Sequence, residues 1–345
     1  MKRLTCQNCR NDVFFDSTQC VHCGFALGYA PATGEMLAAP EPAGWEDAGG
    51  IRHTPCANRD IVACNFLTED AGMCVACRHN RVIPDLSQPG HAPLWAKIEA
   101  AKRVLFYSIL AYNLPHPTKV EDETAGLAFD FLADETQPDG STRQHMTGHA
   151  SGLITINIAE GDDAERERRR TLMGEPYRTL VGHFRHEIGH YYWDRLVATD
   201  PDTLARCRAL FGDDRADYGE ALQRHYDNGP CPDWRAHHIS AYASAHPWED
   251  FAETFAHFVH MVDGLETAAA FGLALQTPAA GDAYTHEDVA DLIAAWVPTT
   301  VAVNAVNRSM GQPDLYPFVL SGPVREKLAF VSGLIHGAPG TEPND

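Results

Sequence analysis

The sequence predicts an α+β protein, rich in helices, with small metal-binding modules at its N-terminus. Two sets of four cysteines stand within the first 77 residues, and apolar residues at helical spacing dominate from residue 94 onward. Residues 152–158 alternate in the manner of a strand with one buried face. A chain of 345 residues with 44% hydrophobic residues can build one core of ordinary size and one or two accessory modules.

The first module is predicted over residues 1–28 as a zinc ribbon. Two Cys-x-x-Cys pairs would each donate two thiolates to one closed tetrahedral site. Gly24 follows the second pair, where a tight turn needs glycine. Iron in a rubredoxin-like site is the competing interpretation. The predicted ligands of this first structural zinc are Cys6, Cys9, Cys20 and Cys23.

Residues 29–90 are interpreted as a linker followed by a second four-cysteine zinc module. The stretch 29–50 is rich in Ala, Pro and Gly, which suggests the linker, and the module spans 51–90. His53 or His79 replacing a cysteine, and cross-braced pairing between the two sets, are alternatives that the spacing leaves open. The predicted ligands of the second structural zinc are Cys56, Cys64, Cys74 and Cys77.

The remaining domain is predicted over residues 91–337, with a disordered tail at 338–345. Helical spacing predicts a first helix from Leu94 to Tyr112, and two strands follow at 127–132 and 152–158. Further helices are expected at 162–174, 177–198, 201–211, 214–226, 247–263, 286–297 and 323–336.

The most informative stretch is the His-Glu-x-x-His motif formed by His186, Glu187 and His190. Two histidines four residues apart project from one helix face, so both can reach a single metal ion. Glu187 then stands beside that metal and can take a proton from the water bound to it. A core helix with satisfied histidines is the alternative. The separation of an apolar back from a histidine front disfavours it.

A third metal ligand is expected from the helix that begins near Pro247. On its helical wheel Glu249, Glu253 and His260 lie together, opposite a row of apolar residues. This arrangement, with an apolar back and a polar front, repeats that of the helix that carries His186 and His190. A solvated polar face is the alternative interpretation. His246, which directly precedes Pro247, is either an electrophile or a helix cap.

The motif and this second helix together resemble the gluzincin metallopeptidases, of the thermolysin and anthrax lethal factor type. The resemblance implies that Glu249 binds zinc and that Glu253 supports His186 or His190 through a hydrogen bond. It also implies that Tyr242, seven residues before Glu249, stabilises the transition state. The whole chain resembles a bacterial family of zinc-binding metallopeptidases with an N-terminal zinc-ribbon region.

In gluzincins an edge strand ahead of the active-site helix pairs with an extended peptide. The strand at 152–158 is the expected counterpart, and His149 and Gly152 at its start would border the cleft. The alternative is an ordinary structural strand.

These observations predict a zinc-dependent peptidase in which zinc-bound water attacks the peptide bond with the help of Glu187. The expected metals are one catalytic and two structural zinc ions. One alternative is a zinc-stabilised binding or adaptor protein with a latent or inactive peptidase-like domain. The other is a metal-dependent amidase that acts on a non-peptide substrate. The expected partners are a peptide or protein substrate and, through the ribbons, a protein.

The charge and the N-terminal sequence exclude other classes. The formal net charge is −20, whereas binding to nucleic acid depends on clustered Lys and Arg. The N-terminus has no apolar segment that resembles a secretory signal, and no stretch has the uninterrupted apolar length of a membrane span. We therefore expect a cytoplasmic protein that binds neither nucleic acid nor a membrane.

Overall fold

The computed structural model describes residues 1–42, 44–137, 139, 141–143, 145, 147–166, 168, 179–273, 282–316 and 319–338. The chain divides into two compact units. The first comprises Met1–Leu110 and His116–Arg169, and the second comprises Ala111–Pro115 and Arg170–Asp345. Helices and small sheets together confirm the predicted mixed α+β class. The predicted helix at 162–174 and the tail at 338–345 lie largely outside the described residues.

The first unit begins with short antiparallel strands. β1 pairs with β2, β3 pairs with β4, and β5, β6 and β7 form a three-stranded sheet. The single-turn helix α1 lies between β6 and β7. The bounds are β1 Leu4–Thr5, β2 Asp12–Val13, β3 Ala26–Ala30, β4 Glu35–Ala39, β5 Trp45–Glu46, β6 Arg52–Pro55, α1 Arg59–Val62 and β7 Leu67–Thr68.

The interpretation of residues 29–50 as a linker is wrong. The stretch contains the end of β3 and all of β4 and β5. Leu37 and Trp45 are buried with Leu67 in one small core, and Gly28 is needed because a Cβ there would lie 2.5 Å from a methyl group of Leu67. Ala30 and Ala39 are buried in the same core, so these small residues of the segment serve close packing rather than flexibility.

A long helix and a four-stranded sheet complete the first unit. The strand order is β12-β13-β9-β8; β13 runs parallel to β9 and antiparallel to β12. A separate hairpin joins β10 to β11. The bounds are β8 Asn80–Val82, α2 His91–Ala111, β9 Ala128–Leu132, β10 Glu135–Thr136, β11 Thr142–Arg143, β12 Gly148–Ala150 and β13 Leu153–Asn157.

The predicted strand at 152–158 exists as β13, but its expected position at the sheet edge is wrong. Among the described strands, β12 lies outside it and forms that edge. The cause is a tight hairpin: Ser151 and Gly152 have φ values of 49° and 79°, as a two-residue β-turn of this kind requires.

The second unit consists mainly of helices. Most begin within four residues of their predicted starts. α7 extends past its predicted end because Leu265 and Ala268 continue its buried face. The bounds are α3 Leu180–Leu196, α4 Pro201–Phe211, α5 Tyr218–Asn228, α6 Trp234–His237, α7 Pro247–Ala270, α8 Val289–Ser309 and α9 Gly322–His336.

Helix α8 differs from its prediction in length. It continues through Pro298, beyond the predicted end at residue 297. Trp296 packs so closely on α7 that a Cβ at Gly264 would lie 2.6 Å from the indole, and this packing holds the helix in place. By length and composition α8 could also cross a membrane, contrary to our expectation that no stretch is long enough. Core helices of globular proteins share this length and composition, and 44% of the apolar window of α8 is buried.

Candidate metal-dependent active site

The candidate site is built on the packing of α3 against α7. Gly189 lies at the crossing, where a Cβ would approach Cα of Ala252 to 2.9 Å. Phe184, Ile188 and Phe255 are buried, so the apolar backs predicted for both helices do pack in a core. Because the helix axes approach closely, short side chains from the two polar faces can meet.

The two histidines of the motif converge with Glu249, the residue that the resemblance implies as the third ligand. Nε2 of His186 lies 2.9 Å from Oε2 of Glu249 and 3.1 Å from Nε2 of His190. Nε2 of His190 lies 3.4 Å from the same carboxylate oxygen. In a tetrahedral zinc site with bonds of about 2.0–2.1 Å, ligand atoms are about 3.3 Å apart. The three atoms therefore have the mutual spacing of three zinc ligands.

The chemistry of these atoms also fits a metal. Nδ1 of His186 lies 2.8 Å from Oε1 of Glu253, so in the neutral ring Nδ1 is the donor and Nε2 carries a lone pair. That lone pair faces a second imidazole and a carboxylate. Burial raises the pKa of Glu249, but the charges and hydrogen bonds of His190 and His186 hold it well below its usual value. An anionic carboxylate and two imidazoles form a donor set typical of zinc.

Glu187 is buried and lies beside this cluster. His183, one helical turn earlier, places its Nε2 3.2 Å from Oε1 of Glu187. Burial acts to raise the pKa of Glu187, but the hydrogen bond and charge of His183 and the charges of His186 and His190 lower it overall. Glu187 is therefore held as an anion, the form that can accept a proton.

Glu253 contacts Nδ1 of His186, the ring nitrogen other than the one that faces Glu249. Its Oε1 faces His186, while its Oε2 accepts a hydrogen bond of 2.5 Å from the hydroxyl of Ser240. Both carboxylate oxygens are thus engaged, which fixes the orientation of the carboxylate and, through it, the imidazole of His186. Glu253 thus contacts His186, whereas Glu249 is among the converging atoms.

Two aromatic side chains approach the predicted ligands from other sides. The ring of Trp248 lies over the imidazole of His190, with centroids 3.7 Å apart. The hydroxyl of Tyr218, on α5, donates a hydrogen bond of 2.5 Å to Oε1 of Glu249. Burial and the negative charges of Glu249 and Glu187 raise the pKa of Tyr218, so its hydroxyl remains a donor.

The other two predicted residues take different places. The ring of Tyr242 lies 5.9 Å, centroid to centroid, from that of His186, at the edge of the site. His246 is the N-cap of α7: its Nδ1 accepts from the backbone N–H of Trp248, and its Nε2 lies 3.1 Å from the carbonyl oxygen of Ala216. Since both ring nitrogens are engaged by backbone, this geometry favours the cap over the electrophile.

The first cysteine set forms one compact cluster. The Sγ atoms of Cys6 and Cys23 are 3.7 Å apart, and those of Cys9 and Cys20 are 3.6 Å apart. In a tetrahedral site with Zn–S bonds of about 2.3 Å, sulfur atoms are about 3.8 Å apart. Gly24 has a φ of 76°, so the expected need for glycine after the second pair is met.

Among the described residues, the second set forms a separate buried cluster of four, without a histidine and without cross-bracing to the first set. Sγ of Cys64 lies 3.8 Å from Sγ of both Cys74 and Cys77. His53 instead lies 3.0 Å from a carboxylate oxygen of Asp47, and His79 lies 3.0 Å from the carbonyl oxygen of Leu127. Both cysteine clusters therefore match closed structural zinc sites.

Comparison with known proteins gives two family matches. Residues 91–334 match the family described as "Putative zinc-binding metallo-peptidase", and residues 3–88 match a zinc-ribbon domain family. The chain belongs to this zinc-binding metallo-peptidase family. The uncharacterized proteins Rv2568c of Mycobacterium tuberculosis and Mb2598c of Mycobacterium bovis are each 40% identical to it over 353 residues. The alignments cover 99% of this chain and 98% of each relative. No solved structure matches the chain.

Membership of a zinc-binding metallo-peptidase family, together with the two four-cysteine clusters, supports zinc as the metal of this protein. Our sequence analysis assigned no role to Tyr218, His183 or Ser240. The helical i,i+4 rule could have indicated His183, which precedes Glu187 by four residues. Tyr218 lies on a different helix from Glu249, and Ser240 lies outside the helices, so no local spacing relates either to its partner.

Proposed function

We propose that this protein is a zinc-dependent peptidase of the gluzincin type. His186, His190 and Glu249 would hold the catalytic zinc, and Glu187 would act as the general base. The observation that carries the proposal is the convergence of two Nε2 atoms and one carboxylate oxygen within 2.9–3.4 Å, next to a buried, anionic Glu187.

The remaining residues have roles that follow from their contacts. When bound, zinc would act as a Lewis acid and lower the pKa of the water bound to it toward neutrality. Glu187 accepts the proton of the attacking water and returns it to the leaving amine. His183 keeps the carboxylate of Glu187 oriented through its ring N–H. Tyr242 would donate its hydroxyl to the oxyanion that forms as the peptide carbonyl is attacked.

The Glu187→Gln variant tests this proposal. We expect it to retain metal at the His186/His190/Glu249 site and to lose turnover by about 10²–10⁴-fold, the usual contribution of a positioned acid or base. Cleavage of a mixed peptide library is followed by mass spectrometry, with and without chelator. Glu220→Gln is the matched control, because Glu220 is an exposed glutamate on α5. Undiminished cleavage by Glu187→Gln would exclude Glu187 as the base.

One observation favours a second candidate function, partner binding through the first ribbon. Phe14 is 77% exposed and Val21 is 94% exposed, and both lie within the zinc-ribbon module. A pure adaptor would show no chelator-sensitive cleavage of any peptide.

A metal-dependent amidase would also leave the peptide library intact, but it would hydrolyse non-peptide amides, and Glu187→Gln would abolish that activity.

A further inference from the structure

The two oxygens of the Glu249 carboxylate have different surroundings. Oε2 faces the imidazoles of His186 and His190, whereas Oε1 accepts the hydrogen bond of 2.5 Å from Tyr218. A carboxylate held on one oxygen presents the other to a metal as a single ligand atom. The terminal torsion of a glutamate is otherwise broad, so without such a contact the oxygen positions are poorly fixed.

Core packing does not explain why Tyr218 lies here. Ala221 is the one buried residue of α5 among the described side chains, and Tyr218 itself is 39% exposed. Glycines at positive φ precede and follow the helix: Gly212 at 104° and Gly229 at 79°. The hydroxyl of Tyr218 nevertheless reaches an almost fully buried carboxylate.

The aromatic ring of Tyr218 is supported on the side of α7. It packs edge-on against Trp248, with centroids 5.7 Å apart, and against His246, with centroids 5.3 Å apart. Removal of the hydroxyl alone would leave these ring contacts in place. The hydroxyl and the ring can therefore be tested separately.

We propose that Tyr218 is a positioning residue for the metal site, which orients Glu249 by donating a hydrogen bond to Oε1. The inference rests on the proposed zinc site. It adds to that site a residue from α5, a helix that none of the sequence motifs includes. Residues that orient metal ligands in this way typically change metal affinity by about 10–100-fold when they are replaced.

The test is metal affinity rather than activity. The full chain is loaded with Co²⁺ and titrated with a competing chelator. Cobalt in the two cysteine sites has thiolate charge-transfer bands, and cobalt held by nitrogen and oxygen lacks them. Release of cobalt that leaves these bands unchanged therefore reports on the histidine and glutamate site. We expect Tyr218→Phe to release this cobalt at about 10-fold lower chelator concentration than the wild type. Tyr226→Phe is the matched control, because it is the same change on the same helix.

A double-mutant cycle separates positioning from a general structural effect. In a Glu249→Ala background, where His186 and His190 still bind metal weakly, Tyr218→Phe should cause no further loss of affinity, because the hydroxyl acts through that carboxylate. Equal affinity of Tyr218→Phe and wild type would overturn the role of Tyr218 and leave the proposed zinc site intact. A wild type that takes up no cobalt besides that in the cysteine sites would overturn both proposals.

Discussion

Replacement of Gly189 by alanine tests whether the close approach of α3 and α7 is what assembles the site. A Cβ there would lie 2.9 Å from Cα and 3.1 Å from the carbonyl oxygen of Ala252, and 3.3 Å from Cβ of Phe255. Carbon atoms pack comfortably at about 3.5–4.0 Å, so α7 would have to move by about 0.5–1 Å. The neighbouring atoms are mostly backbone, which cannot rotate out of the way.

Two opposing effects decide the stability change. Overpacking of a core destabilises by about 1–3 kcal/mol. Alanine in place of glycine inside a helix stabilises by about 1 kcal/mol. We therefore expect Gly189→Ala to reduce the free energy of unfolding by about 0–2 kcal/mol. The control is Gly333→Ala on α9, where a Cβ meets nothing within 4 Å. The control should stabilise by about 0.5–1 kcal/mol, so the difference between the two variants isolates the packing term.

The effect on the metal site should be larger than the effect on stability. Glu249 lies one helical turn before Ala252, so it moves with α7, whereas metal sites tolerate distance errors of only about 0.2 Å. We expect metal affinity to fall roughly 10–100-fold. Urea unfolding and chelator competition measure the two quantities. The close approach of α3 and α7 would be refuted as the cause if Gly189→Ala were as stable as Gly333→Ala and bound metal as tightly as the wild type.

The remaining predictions concern Glu253 in the candidate site and the buried pair of Lys102 and Glu99. Glu253→Gln should weaken metal binding by about 10–100-fold, because it weakens the contact that orients His186. Glu249→Ala should weaken binding more than this, because it removes a ligand atom, and the reverse order in chelator competition would exchange their roles. Lys102→Met should destabilise the first unit by about 3–5 kcal/mol, because it leaves Glu99 fully buried without the ammonium 2.7 Å away. Adding Glu99→Gln should restore much of that loss in thermal unfolding, and a double variant no more stable than Lys102→Met would contradict the account.

The features that the sequence predicted best are the local ones. Helical periodicity placed the starts of α3 and α7 within three residues, because both helices separate an apolar back from a polar front. The His186–His190 pair needs only one helical turn to be recognised. The cysteine pairs of the first ribbon likewise sit in short turns whose geometry is set by neighbouring residues.

The features that the sequence did not predict depend on distant contacts. The edge strand β12 has three residues, and its position follows from a turn at Ser151 and Gly152 that we did not recognise. The segment 29–50 reads as a linker by composition, yet Leu37 and Trp45 bury it against a strand that comes later in the chain. Tyr218 is 31 residues from Glu249, so only the fold relates the two.

The two cysteine clusters and the proposed histidine and glutamate site therefore differ in how the sequence encodes them. Each cysteine cluster draws its ligands from within about two dozen residues, and small modules of this kind fold around their metal. The proposed histidine and glutamate site would instead take its ligands from two helices whose apolar faces are buried in a core. We expect its accuracy to rest on residues that would not touch the metal, including Gly189 at the helix crossing and Glu253 beside His186. Chelation should accordingly unfold the cysteine modules but leave α3 and α7 folded, and circular dichroism of the metal-free chain would show whether helix content survives.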